Sequence, residues 1–249
     1  PYSHLLAQVA PRLTAEYGVT VEIVPVAPPG LSANPAPEML LHHAMRDAAI
    51  LAERHGLSFP SDASPPPEDR VRRAHAVLLE PRPPDEQVQI AIELGEAVWR
   101  EDGQAMAGIV ERYGGLSGES VRPALEANYE ALERAGHYQP GMLYYGGDWY
   151  WGIDRLCHLE TRLQREGLEG SLRLLAEPSS HLASAIPLPP KEPLQLDLFF
   201  SFRSPYSYVV LPQLIALRDR YGVDVRVRPM LPMVMRGLEV PKAKRLYIA

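Results

Sequence analysis

The sequence predicts an α/β protein in which one structural unit occurs twice. The first observation is an internal repeat: residues 1–28 align without a gap with residues 205–232, and ten of the 28 positions are identical. The second is the order of signals around the second copy, namely strand, sharp turn, helix and strand, which is typical of two parallel strands joined by a right-handed crossover. The third is a mostly helical block between the copies, which indicates a helical insertion. The offset of 204 residues far exceeds a solenoid period of about 20 to 50 residues, so we expect tandem domains.

The second copy carries the clearest signals for individual elements. Residues 194–200 alternate in polarity and are rich in strand formers, which predicts a strand. Pro205 fits the first position of a helix, where its missing N–H group is not needed, and Gly222 fits the residue that ends the helix. The pattern therefore predicts a helix over 205–221 and a strand over 223–227. By alignment, the first copy begins at the turn and continues with the matching helix and strand.

The block between the copies is predicted to be mainly helical. Apolar residues recur with helical spacing over five segments, at 37–56, 67–80, 84–101, 104–113 and 119–136. The Gly-Gly pair at 146–147 predicts a hairpin of two strands, 141–145 and 148–151, and a last helix follows over 153–166.

These elements predict three parts of the chain. A first domain is expected over residues 1–169 and a second over 194–249, joined by a linker over 170–193 that ends in a proline-rich run. The chain starts without a methionine, and both ends read as cut. The first domain is therefore expected to lack its first strand, and the second to be truncated.

Composition excludes several classes of function. The chain of 249 residues has 25 Lys and Arg against 31 Asp and Glu, and the net charge of −6 argues against a nucleic-acid-binding surface. No apolar run approaches the roughly 20 residues of a membrane helix, so we expect no membrane contact and a cytoplasmic protein. The single cysteine, Cys157, excludes an internal disulfide and CxxC redox chemistry. His and Cys residues do not occur at metal-ligand spacing, and no metal is expected.

Three segments carry a resemblance to a known family. SPYS at 204–207 stands at the strand-to-helix turn, VPKAKRLY at 240–247 contains a lysine, and WGIDRL at 151–156 follows the predicted hairpin. Together they resemble the 2-hydroxychromene-2-carboxylate isomerases and kappa-class glutathione transferases, which are relatives of DsbA. The resemblance implies a thioredoxin fold with an inserted helical subdomain, here in tandem copies. It covers the first copy almost throughout and the first quarter to third of a domain in the second.

The resemblance also implies that glutathione is the cofactor and that Ser204 is the catalytic residue. A helix N-terminus carries roughly half a positive charge, and a hydroxyl group there can donate to a thiolate, which would keep the sulfur of glutathione ionised. Pro205 and Tyr206 complete this part of the predicted site. The residues alone favour a simpler alternative, in which Ser204 is an N-cap.

Four further cofactor-binding residues are implied by the same resemblance. Lys244 matches a lysine beside the glutathione carboxylates, with a solvated surface charge as the alternative. Asp154 matches an aspartate that meets the γ-glutamyl amine, with an N-cap of the helix over 155–166 as the alternative. Gln139 and Pro140 match the cis-proline segment, in which the backbone before the proline pairs with an extended thiol peptide.

The predicted function is a glutathione-dependent isomerase or transferase whose substrate is a small electrophile, aromatic or enone-like. Two alternatives stay open. A DsbA-type disulfide oxidoreductase is opposed by serines 204 and 207, which replace both cysteines of the redox motif. A non-catalytic thiol- or peptide-binding module is favoured by Gln-Pro-Gly at 139–141, where the family has Val-Pro-Thr, and by the absence of the family's asparagine before Lys244. The oligomeric state is not predicted.

Overall fold

The protein was analysed as a computed structural model in which residues 1–31, 33–171 and 194–237 are described. The chain divides into two compact units, Pro1–Glu177 and Pro178–Ala249. The boundary falls within the predicted linker, of which residues 172–193 lie outside the described residues. Each unit is described separately, and the fold class is mixed α/β.

The first unit is mainly helical, and its helices follow the predicted segments closely. They are α1 (Tyr2–Tyr17), α2 (Pro37–His55), α3 (Glu68–Leu78), α4 (Pro84–Trp99), α5 (Gly103–Tyr113), α6 (Gly118–Arg134) and α7 (Leu156–Arg165). A short 3-10 helix, Ile153–Arg155, precedes α7 within the segment predicted as one helix. None of the helices in the described ranges has the length and apolar character needed to cross a bilayer.

The strand that alignment predicts after α1 is absent from the first unit. Residues 19–23 have no regular structure, although Val19 and Val21 pack against the core. A strand needs a neighbour that accepts and donates its ladder hydrogen bonds, and no described strand of this unit pairs with the segment. The prediction of a matching strand in the first copy is therefore wrong for the described structure.

The predicted hairpin is confirmed, and Arg162 of α7 binds its turn. Strands β1 (Met142–Tyr145) and β2 (Asp148–Trp151) pair antiparallel, with Tyr145 opposite Asp148. The Arg162 guanidinium donates to the carbonyl oxygens of Tyr145 and Gly146 at 3.1 and 3.0 Å and forms an ion pair with Asp148 at 2.6 Å.

Two hydrophobic clusters form the core of the first unit. The larger lies between α1, α2, the hairpin and α7, and its buried members are Leu5, Leu6, Val9, Leu13, Tyr17, Ala48, Ala52, Tyr150, Ile153, Leu156, Leu159 and Leu163. The second lies between α3, α4 and α5, and its buried members are Ala74, Val77, Ile90, Leu94, Ala97, Val98, Met106 and Ile109. Helix α1 also packs directly against α4, so the two clusters are adjacent.

The second unit contains the predicted parallel pair of strands. Strands β3 (Gln195–Phe200) and β4 (Asp224–Pro229) pair in parallel. Two helices connect them, α8 (Pro205–Val209) and α9 (Leu211–Tyr221), and a 3-10 turn follows at Met233–Arg236.

The connection between the strands differs from the single helix predicted over 205–221. The chain breaks at Val210, where α8 ends and α9 begins. Pro212 explains the break, because it has no N–H group for the carbonyl oxygen of Tyr208 and its ring would clash with that carbonyl in a continuous helix. The prediction of where α9 ends is confirmed: Gly222 has a φ of 64° and donates its N–H to the carbonyl of Arg218 at 2.8 Å.

Candidate functional site

Ser204 lies between β3 and the first residue of α8, at the turn that the sequence predicts. Its Oγ accepts a hydrogen bond from the N–H of Ser207 at 3.3 Å, which makes Ser204 the N-cap of α8. The Ser204 side chain is half-buried. The cap role is thus present, and it leaves the Ser204 O–H proton for a second partner, because a hydroxyl both accepts and donates.

The other residues of the SPYS turn have different roles: Ser207 forms a hydrogen bond within the turn, whereas Tyr206 is exposed to solvent. The Oγ of Ser207 accepts from the N–H of Ser201 at 3.3 Å and so ties α8 back to the end of β3. Pro205 occupies the first helical position, as predicted. Tyr206 is 68% exposed, and Phe202 before the turn is 88% exposed, so most of both side chains faces solvent.

The field of α8 is weaker than the sequence implied. A long helix would place roughly half a positive charge at its N-terminus, but α8 has only five residues before the break at Val210. The chemistry available at Ser204 is therefore mainly that of one hydroxyl donor.

Lys244 lies outside the described residues, which end at 237. Its predicted approach to a carboxylate of glutathione stays a prediction.

In the first unit, the segment at 139–141 lies against the start of α1. A Cβ atom added at Gly141 would lie 3.2 Å from the Cβ of Tyr2 and 3.6 Å from the N of Ser3. Gly141 has a φ of 75°, a conformation that suits glycine. The structure thus places the segment at 139–141 in contact with the start of α1.

The peptide bond between Gln139 and Pro140 is trans, as are the other described peptide bonds. The predicted cis-proline is therefore wrong. An X–Pro bond is trans unless its surroundings select the cis form, and the positive φ of Gly141 makes the turn here without it.

Gln139 already has partners on both its backbone and its side chain. Its N–H donates to Nδ1 of His137 at 3.1 Å, and its side-chain amide donates to the carbonyl oxygen of Ala33 at 3.4 Å. A peptide that paired with this backbone would have to replace the bond to His137.

Asp154 lies in the 3-10 turn before α7 and is not the cap of that helix, whose N-cap position is Arg155. The alternative that Asp154 caps the helix predicted over 155–166 is therefore wrong. Its carboxylate is more than half exposed and makes only a long ion pair with Arg155, at 3.9 Å.

Tyr2 and Asp47 form a contact in the same region that sequence reasoning missed. The hydroxyl of Tyr2 donates to a carboxylate oxygen of Asp47 at 2.8 Å. Burial, the bond to Asp47 and the charge of Asp154 raise the pKa of the Tyr2 phenol, which therefore stays protonated at neutral pH. The repeat singles out Tyr2, but no pattern connects it to Asp47, 45 residues away.

The predicted site residues thus form two groups. Ser204, Pro205 and Tyr206 lie in the second unit, whereas Gln139, Pro140 and Asp154 lie in the first, around the start of α1. Within the described ranges, His, Cys, Asp and Glu residues form no group of three or more that could hold a metal ion.

Comparison with known proteins finds no matching family model, no matching curated protein and no matching solved structure.

Proposed function

We propose that this protein is a glutathione-dependent isomerase or transferase that acts on a small electrophilic substrate, aromatic or enone-like, with Ser204 as the catalytic residue. The finer fold assignment, a thioredoxin fold with a helical insertion in tandem copies, belongs to the same proposal. It is supported by the parallel β3–β4 pair, by the helical connection between these strands, and by the repeat of 28 residues.

The observation that carries the proposal is the hydrogen bonding of Ser204. Its oxygen accepts from the Ser207 N–H, so its O–H proton can be donated to an anion in front of the turn. Pro205, the next residue, has no N–H group that would compete for such an anion. The turn is also exposed enough to be reached, because Tyr206 points mostly into solvent.

When bound, glutathione supplies a thiol that, as a thiolate, can add to an electrophilic carbon and, for isomerisation, leave again. The residues of this chain bind and ionise it. Ser204 donates to the sulfur, which favours the charged form and lowers the pKa of the thiol. Lys244 binds a carboxylate. Gln139, Pro140 and Asp154 lie in the first unit, which also contains the helix start of the first copy.

The proposal is tested by titrating glutathione in the presence of the 249-residue chain and following the thiolate by its ultraviolet absorbance. A hydrogen bond to a charged group contributes about 1.5–3 kcal/mol. Replacing the donor in Ser204→Ala should therefore raise the pKa of the bound thiol by about one to two units.

Ser117→Ala is the matched control, because Ser117 is also the N-cap residue of a helix but lies in the first unit. It should leave the thiol pKa unchanged. A wild-type protein that does not lower the pKa of added glutathione contradicts the proposal.

A second candidate, a non-catalytic thiol- or peptide-binding module, is favoured by the trans bond before Pro140, which departs from the cis-proline of the family it resembles. It predicts that glutathione or a short thiol peptide binds with no change in thiol pKa. A DsbA-type oxidoreductase would reduce insulin, which requires a pair of cysteines. The sequence has one cysteine, Cys157, so we expect no insulin reduction.

A further inference from the structure

A closed ring of polar contacts connects α1, α4 and the segment that follows α2. Gln8 binds the backbone of Ser58 twice, donating to its carbonyl at 2.8 Å and accepting from its N–H at 2.7 Å. The Oγ of Ser58 accepts from Arg100 at 3.0 Å, and Arg100 pairs with Glu96 at 2.6 Å. Nε2 of His4 closes the ring, at 3.0 Å from Nε2 of Gln8 and 3.5 Å from Glu96.

The two bonds to Ser58 fix the orientation of the Gln8 amide. A backbone N–H can only donate, so the oxygen of the amide must face it and the nitrogen must face His4. The amide nitrogen can only donate, and it lies 3.0 Å from Nε2 of His4 and 3.4 Å from the carbonyl oxygen of His4. Nε2 of His4 faces this donor as an acceptor, which places the proton of the neutral ring on Nδ1.

Nδ1 of His4 has no hydrogen-bond partner, although the residue is only 5% exposed. It lies against Gly95 so closely that a Cβ atom at that position would be 2.0 Å from it. Nδ1 of the imidazole thus lacks a hydrogen-bond partner. Nε2 lies near two groups, the Gln8 amide, which donates, and the Glu96 carboxylate, which can only accept.

We propose that His4 is a proton-operated latch: on taking up a second proton, Nε2 changes from acceptor to donor and turns to Glu96, the Gln8 amide is displaced, and the Ser58 segment is released from α1. The neutral ring satisfies Gln8 and leaves Glu96 to Arg100. The doubly protonated imidazole donates to Glu96, but its Nε2–H then faces the N–H of Gln8. The closed set of contacts therefore forms with the neutral imidazole and not with the protonated one. The proton comes from solvent and forms an N–H bond with the lone pair of Nε2, and no other covalent bond changes.

The charges around His4 set the pH at which the latch opens. Burial lowers the pKa of His4 to about 4; the charge of Glu96 opposes this shift, and the charge of Arg100 adds to it. In the released state the pKa of the His4 imidazole returns towards its ordinary value of about 6.5. Since the closed state binds the proton less tightly, falling pH favours the open state, and the transition lies between about pH 6.5 and 4.

Trp99 provides a local reporter, because its ring lies 5.1 Å from that of Phe59, next to Ser58. The experiment is fluorine NMR of the 249-residue chain labelled with 5-fluorotryptophan, with the resonance of Trp99 assigned by Trp99→Phe. Between pH 7.5 and 4 that resonance should move with a single transition in the wild type. In His4→Gln, where the side chain can accept from Gln8 but cannot be protonated, the transition should be lost.

His137→Gln is the matched control, since His137 is also buried but packs against Trp149 in another part of the unit. It should keep the Trp99 transition. A transition that survives in His4→Gln, or none in the wild type, overturns the latch. If His4→Gln does not fold, the Cε1 proton of His4 in the wild type decides: titration at pH 6.5 or above also overturns it.

Discussion

At the scale of single residues, the repeat places the same tyrosine in two different surroundings. Tyr17 and Tyr221 align, and each ends a helix before a glycine with a φ near 65°. The hydroxyl of Tyr17 donates to Glu160 on α7 at 2.8 Å. The hydroxyl of Tyr221 is shielded and has no hydrogen-bond partner among the described residues.

Substitution of the two tyrosines should therefore have unequal effects. Tyr17→Phe removes a hydrogen bond to a charged group and leaves the Glu160 carboxylate without this donor, so we expect the free energy of unfolding to fall by about 1.5–3 kcal/mol. Tyr221→Phe removes only an unsatisfied hydroxyl and should change it by less than about 0.5 kcal/mol. Urea unfolding, followed by far-ultraviolet circular dichroism, measures both variants. Equal losses would show that Tyr221 has an acceptor.

At the scale of elements, the packing of α1 on α4 depends on one glycine inside a helix. Gly95 lies in α4, where glycine is less favourable than alanine by roughly 1 kcal/mol. The side chain of His4 fills the space that a Cβ atom at Gly95 would need. The close approach of the two helices thus requires a residue that weakens α4 itself.

Gly95→Ala should lower the free energy of unfolding by about 1–3 kcal/mol, because the added methyl group overpacks a buried contact. Gly108→Ala is the matched control: Gly108 also lies inside a helix, α5, but nothing lies within 4 Å of an added Cβ atom. That change should raise stability by about 0.5–1 kcal/mol. The midpoints of urea unfolding show whether each variant is less or more stable than the wild type. When His4→Ala is combined with Gly95→Ala, the loss of stability caused by Gly95→Ala should become smaller. A stabilising Gly95→Ala would contradict the contact.

Most helices could be predicted from the sequence because their signals are local. Pro37, Pro84 and the glycines after α1 and α2 stand within a residue or two of the helix ends they predict. The prediction of a strand after α1 was wrong because a strand forms only beside a neighbouring strand, and the residues of the segment do not show whether such a neighbour exists.

The candidate site was predictable only in part, for the same reason. The SPYS turn and the position of Ser204 follow from a short pattern around Pro205. The trans bond before Pro140 and the contact of Tyr2 with Asp47 depend on residues far apart in the chain, as does the ring of contacts around His4. Periodicity and capping rules carry no information on such pairs.

At the scale of the whole molecule, burial is divided unevenly between the two units. Among the described residues of the second unit, only Phe200 and Val223 are buried hydrophobic residues, whereas the first unit holds two clusters with 12 and 8 buried members. Apolar burial is the main favourable term in folding. The first unit should therefore account for most of the stability measured on the full chain.

Amide hydrogen exchange of the 249-residue chain tests this division directly. Local opening is easier where few apolar contacts must be broken, so peptides from β3 and β4 should exchange at least about tenfold faster than peptides from α1 and α7, after correction for intrinsic rates. A tenfold difference corresponds to about 1.4 kcal/mol in opening free energy. The comparison is internal, because both sets of peptides come from one sample and one pH. Protection of β3 and β4 equal to that of α1 would mean that the second unit is stabilised by contacts beyond Phe200 and Val223, and would contradict the assignment of stability to the first unit.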